Sequence, residues 1–294
     1  MVVRTLNIAS GFARVGVSAE TSKMKKFMKA KIKNRIAIES LLPKFETHEK
    51  CCYENAFRVS KLFNSTRYSA RVLAEKILDC DEEEPCFSLA CYECLRRFRL
   101  KKISQLALFC EDYKEWKFAT FIYYDEMVSE LSHIDIPRLK NRLYKQLHHA
   151  DITDAVIGYF EVEYSIECNH WLPHFHLLVK CRNSHTPEWE RLRKLFQKQD
   201  VPNNINVIKF CPVEVKELKN PLRQIAYICK FMWQRKEVFI GKDERRKSKK
   251  YRLPKSKFID ALLKLDSLKL VDVEFMYRVK QNGSTLKESV HGKK

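Results

Sequence analysis

His174 and His176, one residue apart, follow Pro173 and lead into Leu177-Leu178-Val179. On a strand, residues two apart share a face. Both imidazoles then project together, while Phe175, Leu177 and Val179 pack the other side. Such a pair is a natural donor set for a divalent metal. Upstream, Tyr159-Phe160-Glu161-Val162-Glu163-Tyr164 places Glu161 and Glu163 on one face of a second strand. If the two strands form a hairpin, a carboxylate reaches the imidazoles. Two nitrogens and a carboxylate, with positions left for water and phosphate, suit Mg²⁺ or Mn²⁺. Downstream, Asn220-Pro221 caps and opens a helix expected to run to about Arg235. Leu222, Ile225, Cys229 and Met232 form its apolar stripe, and Arg223, Tyr227, Lys230 and Gln234 fall on the opposite face. A tyrosine one turn from a lysine, among cations, has neighbours that favour a phenolate and bind phosphate. The plain alternative is a surface tyrosine with a lysine three residues on.

A further group lies before the first of these strands. Cys86, Cys91 and Cys94 are followed by Leu95-Arg96-Arg97-Phe98-Arg99. Two cysteines with a two-residue gap make a common zinc half-site. Three do not close a tetrahedron, and Cys110, Cys80, Cys51 and Cys52 are each candidates for the fourth ligand. The other reading is a cysteine-rich helix in which Cys91 and Cys94 pack inward. In either case Arg96, Arg97 and Arg99 would track a DNA backbone.

The elements that must position these groups are legible between about 115 and 235. Lys117–Asp125 is β-branched and aromatic and reads as a strand, Pro137–His149 as a helix, and Val156–Tyr164 and His174–Lys180 as strands. Pro187–Gln197 reads as a helix and Ile205–Phe210 as a short strand. The order β-α-β-β-α-β-α begins with the split βαββαβ pattern of ferredoxin-like folds. The expected fold is therefore α+β: a ferredoxin-like antiparallel sheet with helices on one face, an added N-terminal helical region and a small C-terminal extension. We divide the chain into a basic helical region (1–80), a cysteine-rich basic segment (81–114), the core (115–235), and a basic loop with the extension (236–294). Helices are expected over 22–36 and, as a pair, over 47–79.

Composition narrows the partner. The 294 residues include 56 Lys and Arg against 37 Asp and Glu, a net charge of +19. That surplus disfavours an ordinary metabolic enzyme and points to a polyanion. Eleven of the basic residues lie between 235 and 257, among them Arg245, Arg246, Lys247, Lys249 and Lys250, which we read as DNA contacts together with Arg223. Hydrophobic residues make up 45% of the chain, too many for a disordered one. No apolar run is long enough to span a bilayer, and the N-terminus does not read as a secretory signal. The eleven cysteines are then expected as thiols or metal ligands in a reducing cytoplasm rather than as a disulfide framework. No Walker-type phosphate loop is present, so an ATPase or helicase would be a host partner.

The run Phe118-Ala119-Thr120-Phe121, then Pro173-His174-Phe175-His176, then Tyr227-x-x-Lys230, in that order, resembles the HUH endonuclease family. The likeness covers about residues 115–235 and is greatest to the single-tyrosine rolling-circle replication initiators of small plasmids and phages. It implies that His174 and His176 hold the divalent cation with an acid of the neighbouring strand, Glu161 first and Glu163 second. It implies that Tyr227 attacks a scissile phosphate in single-stranded or hairpin origin DNA. The products would be a 5′-phosphotyrosine link and a free 3′-hydroxyl that primes replication. Lys230 would steady the phosphate or the phenolate. Host helicase and polymerase would act next, in the cytoplasm of a bacterial-type host. Where some members carry a water-activating Glu four residues before the tyrosine, this chain has Arg223, and the nearest upstream acid is Glu217.

Two other readings stay open on the sequence. One is a single-tyrosine transposase or conjugative relaxase, although the third histidine many relaxases use is not evident. The other is a non-catalytic nucleic-acid-binding module, with Phe118, Phe121, Tyr123 and Tyr124 stacking bases. Tyr227 and Lys230 facing the histidine pair would separate the enzymes from the module.

Overall fold

The computed structural model describes residues 40–43, 46–200, 211–241 and 244–289. The helix expected over 22–36, the strand expected over 205–210 and the Arg246 side chain lie outside that description. Among the described residues, a helical turn at 40–43 is followed by α1 (His48–Phe63), α2 (Tyr68–Leu78) and α3 (Tyr92–Phe109). Thr47 caps α1 by accepting from the Lys50 N–H. Then follow β1 (Trp116–Ile122), α4 (Ile136–His149), β2 (Val156–Ser165), β3 (His170–Lys180), α5 (Pro187–Gln197), β4 (Val213–Glu217) and α6 (Pro221–Ile228). After these come β5 (Gln234–Ile240), β6 (Arg246–Tyr251), α7 (Lys255–Asp266), α8 (Leu270–Val273), β7 (Glu274–Tyr277) and the hairpin β8 (Val279–Asn282) with β9 (Thr285–Glu288).

The fold is α+β around one large sheet of order β4-β1-β3-β2-β5-β6, with β7 also paired to β2. The sheet is mixed, not antiparallel throughout as expected, because β5 runs parallel to β2 over Glu163–Ser165. The segment after residue 235 supplies β6 and β7 to the same sheet, so the basic stretch is a hairpin rather than a loop.

Alternation along β3 sets the two faces. Phe175 meets Tyr123 and Phe160, and Phe121 meets Phe196 of α5 with ring centroids 5.3 Å apart. Helices α4 and α5 cover this face; Leu139, Leu143 and Leu147 recur at helical spacing and all are buried. His174 and His176 point to the other face. That face carries α6 and, behind it, α3, whose Arg99 donates to the Ala226 carbonyl. Helices therefore lie on both faces, not one.

At Gly158 the β2 and β3 backbones approach unusually closely. A Cβ there would sit 2.2 Å from the His176 carbonyl oxygen and 2.8 Å from Leu177 Cα. The pairing register sets Tyr159 opposite His176 and Glu161 opposite His174.

Helix α6 is shorter than the apolar stripe predicts. The Cys229 N–H bonds Ile225 O, the Lys230 N–H bonds Tyr227 O, and Phe231 turns to a positive φ of 46°. The chain then satisfies its backbone groups by pairing Gln234–Lys236 with the open edge of β2, in place of further helix.

Candidate metal and tyrosine site

Strands β2 and β3 bring Glu161, His174 and His176 together with one ligand atom from each, all within 4.8 Å of one another and all buried. His176 Nε2 lies 3.2 Å from Glu161 Oε2 and 3.2 Å from His174 Nε2. His174 Nδ1 is 3.2 Å from the Leu172 carbonyl, which only accepts, so Nδ1 carries the hydrogen and Nε2 presents its lone pair. His176 Nδ1 shares a hydrogen bond with Thr120 Oγ1 at 3.0 Å. Burial, reinforced by His176, pushes the His174 pKa down to about 3, so this imidazole is neutral at physiological pH. Burial alone would raise Glu161, but Lys250, Lys230 and His176 overcome it and hold the carboxyl well below the ordinary range. An anionic oxygen and two inward Nε2 atoms, their other nitrogens engaged, fit a divalent cation.

Glu163, the second choice, faces the same side but takes different partners. Its Oε2 makes an ion-pair contact with Lys250 Nζ at 3.1 Å, without hydrogen-bond alignment, and its Oε1 lies 3.6 Å from Lys236 Nζ. It falls outside the ligand cluster.

Tyr227 projects from α6 over the histidines. Its ring meets His176 edge-on, centroids 5.1 Å apart, and leans on Phe118 at 6.1 Å. It is 36% exposed, so one side is open to the cleft. Burial, with Glu161 next, raises its pKa, and the phenol is neutral at pH 7. Its hydroxyl oxygen accepts from Lys250 Nζ at 2.9 Å. Lys230 lies past the end of α6. It pairs with Glu161 at 3.3 Å and donates to Gln234 at 2.5 Å, with its ammonium over the Tyr227 ring rather than at the hydroxyl. The sequence reading thus missed Lys250 as a partner of the tyrosine. Its only local signal was alternation with Ser248 on a lysine-rich strand.

The cleft above these groups measures about 840 Å³, with Arg223, Gln224 and Lys216 among its lining residues. Arg223 is exposed there. Glu217, the nearest acid upstream of the tyrosine, is paired with Lys117. Arg245, Lys247 and Lys249 are exposed on the β5–β6 hairpin. Arg99 is a correction: it is 7% exposed and ion-paired with Glu46 at 2.7 Å, so it braces α3 instead of meeting DNA. Arg96 donates to Glu46 O and Arg97 to Asp81 O, both half-buried. Phe121, Tyr123 and Tyr124 are buried, which removes three of the four aromatics that a base-stacking module needs.

The fourth cysteine is Cys80. Its sulfur and those of Cys86, Cys91 and Cys94 all lie within 4.8 Å of one another, with Cys94 3.5 Å from Cys80 and 3.7 Å from Cys86. Sulfurs about 2.3 Å from a tetrahedral zinc stand roughly 3.8 Å apart, so the set fits that ion. Hydrogen bonds from Cys86 and Cys94 hold the Cys91 sulfur well below the ordinary thiol range. Cys110 is buried elsewhere, Cys51 donates to Glu93, and Cys52 lies beside His48.

Among the described residues no helix is long and apolar enough to cross a membrane. Comparison with known proteins finds no matching family model, no matching curated protein and no matching solved structure.

Proposed function

We propose that this chain is an HUH-type endonuclease that nicks and rejoins single-stranded DNA at a replication origin through a tyrosine–phosphate link, starting rolling-circle replication. The observation that carries the reading is the meeting of three separate segments. The Tyr227 ring rests on His176, which stands within 3.2 Å of both Glu161 and His174. A binding module has no use for a tyrosine set on a buried histidine–carboxylate cluster. The strand order β4-β1-β3-β2, with neighbours antiparallel, supports a ferredoxin-like palm beneath the site.

His174, His176 and Glu161 would hold Mg²⁺ or Mn²⁺. When bound, the ion supplies polarisation and alignment of a scissile phosphate. The chain's own groups do the rest. The Tyr227 oxygen attacks phosphorus in line with the departing 3′-oxygen, giving a 5′-phosphotyrosine and a 3′-hydroxyl. Arg223 and the exposed cations of the β5–β6 hairpin hold flanking phosphates and supply most of the salt-sensitive affinity. Cys80, Cys86, Cys91 and Cys94 would hold a structural Zn²⁺. Strand opening and synthesis fall to a host helicase and polymerase, in a bacterial-type cytoplasm.

The test is covalent capture. The protein is incubated with Mn²⁺ and a pool of random-sequence single-stranded oligonucleotides, and protein–DNA adducts are resolved under denaturing conditions. An adduct that Tyr227→Phe abolishes supports the reading. An adduct that survives this change moves the nucleophile, and no adduct from the pool removes the enzyme.

A further inference from the structure

The Tyr227 hydroxyl has a partner outside the motif helix. Lys250, on β6, reaches back across the cleft and donates to the hydroxyl oxygen at 2.9 Å. The same ammonium stands 3.1 Å from Glu163 Oε2 and 3.7 Å from Glu161 Oε1. Both ammoniums stand 5.5 Å from the phenol ring centre, but Lys230, three residues after the tyrosine, donates to Glu161 and Gln234 instead of to the phenol oxygen. The two lysines therefore do different work: Lys230 hydrogen-bonds the ligand carboxylate, whereas Lys250, though 3.7 Å from the same carboxylate, hydrogen-bonds the nucleophilic atom.

We infer that Lys250 is a catalytic residue: the cation that carries the charge on the Tyr227 oxygen as its bond to phosphorus forms and breaks. Glu163 is the positioning residue that aims it. This inference rests on the nicking reading and deepens it. In cleavage the Tyr227 oxygen–phosphorus bond forms, the phosphorus–O3′ bond breaks, the phenolic proton goes to solvent and the 3′-oxygen takes one from solvent. Rejoining reverses each of these steps. Lys250 keeps its protons throughout and acts through its charge and its hydrogen bond, both already in place before the charge develops. An ammonium this close to two carboxylates is fixed by them and loses little freedom when it meets the oxygen.

The β5–β6 hairpin explains the reach. Lys236 pairs with Lys250 across the two strands, and β5 is anchored to β2 next to Glu163. That pairing directs both lysines towards the acids, while Lys249 turns the other way onto Tyr251. A cation useful only for DNA affinity would sit with the exposed residues of the hairpin.

The test uses the full chain and an oligonucleotide recovered by covalent capture. Single-turnover cleavage, rejoining of the adduct to a free 3′-hydroxyl, and oligonucleotide affinity by anisotropy are measured separately. Lys250→Met is expected to slow cleavage and rejoining together by about 100-fold or more, the effect of removing one charge-stabilising donor, with affinity nearly unchanged. Lys250→Arg, which keeps charge and donors, should recover most of the loss. Glu163→Gln should give a smaller loss in both directions. Lys250→Met with wild-type rates, or with a loss that matches its loss of affinity, overturns the inference and leaves the nicking reading standing. Absence of any Tyr227 adduct in the wild-type chain removes that reading and the inference with it.

Discussion

Replacing Gly158 with alanine tests whether the two metal-bearing strands are held together by a missing side chain. The new methyl would meet the His176 carbonyl oxygen at 2.2 Å and Leu177 Cα at 2.8 Å, and both obstacles are backbone atoms that cannot swing aside. Ordinary contact begins at 3.4 Å, so β3 must retreat by about 1 Å at the residue that carries a candidate ligand. Strands normally lie about 4.8 Å apart, and a retreat of that size stretches ladder bonds near 2.9 Å beyond useful range. Losing about two such bonds, together with the strain of overpacking, costs roughly 2–4 kcal/mol. At about 2–4 °C per kcal/mol for a chain of this size, Tm should fall by roughly 5–15 °C. The shift also lengthens the Glu161–His176 contact of 3.2 Å, so Mn²⁺ affinity should fall about 10-fold or more. Thermal melts followed by circular dichroism and Mn²⁺ titration calorimetry read the two effects separately. A variant that melts within a degree or two of the parent and binds Mn²⁺ equally well would refute the close-approach argument.

Three further outcomes are expected. Glu161→Gln should abolish Mn²⁺ binding seen by calorimetry while Glu163→Gln leaves it unchanged, because only Glu161 shares an oxygen with both imidazoles; equal losses would contradict the ligand assignment. Elemental analysis is expected to find one zinc per chain, which Cys80→Ser should remove while lowering Tm, whereas Cys52→Ser, at an exposed position outside the cluster, should do neither. Glu54→Gln leaves the buried Arg58 without its carboxylate and releases Arg252, costing about 3–5 kcal/mol at pH 7 in urea unfolding. Burial alone would raise the Glu54 pKa, but Arg252 and Arg58 bring it below the ordinary value. Its contribution is therefore complete above the unfolded-chain value of about 4.3 and is lost as pH falls through the lower folded value. The gap between parent and variant should narrow below about pH 4, and a constant gap from pH 7 to 3 would contradict it.

The strands that carry the acids and imidazoles were legible because β2 and β3 are aromatic and β-branched and fix their faces by simple alternation. The tyrosine was legible for its neighbours, but the end of its helix was not. Leu222, Ile225, Cys229 and Met232 continue the apolar stripe past Ile228, and no glycine or proline stops it. The stop is tertiary: the open edge of β2 captures Gln234–Lys236. The same capture hid β5 and β6, whose lysine density reads as solvated loop until a sheet edge and two buried acids are there to receive it. Arg99 looked like its neighbours Arg96 and Arg97, and only its partner Glu46, far back in the sequence, reveals it as buried. Cys80 sits six residues before Cys86, in no familiar ligand spacing, and joins the cluster because α2 ends against the start of α3.

The outer edge of β2 is divided, β7 covering Val156–Tyr159 and β5 covering Glu163–Ser165. The strand that holds Glu161 is therefore flanked on that side only by chain made much later. Tyr277, the last residue of β7, follows His176 by about a hundred positions, and at about 5–20 residues per second that is a delay of roughly 5–20 s on the ribosome. A chain interrupted between Lys250 and Glu274 carries every motif residue and keeps the β2–β3 pairing, but leaves the Val156–Tyr159 part of the outer edge of β2 open. Clipped copies of that kind would hold the reactive groups on a sheet with one raw edge, and an unpaired strand edge is a ready template for pairing with another chain.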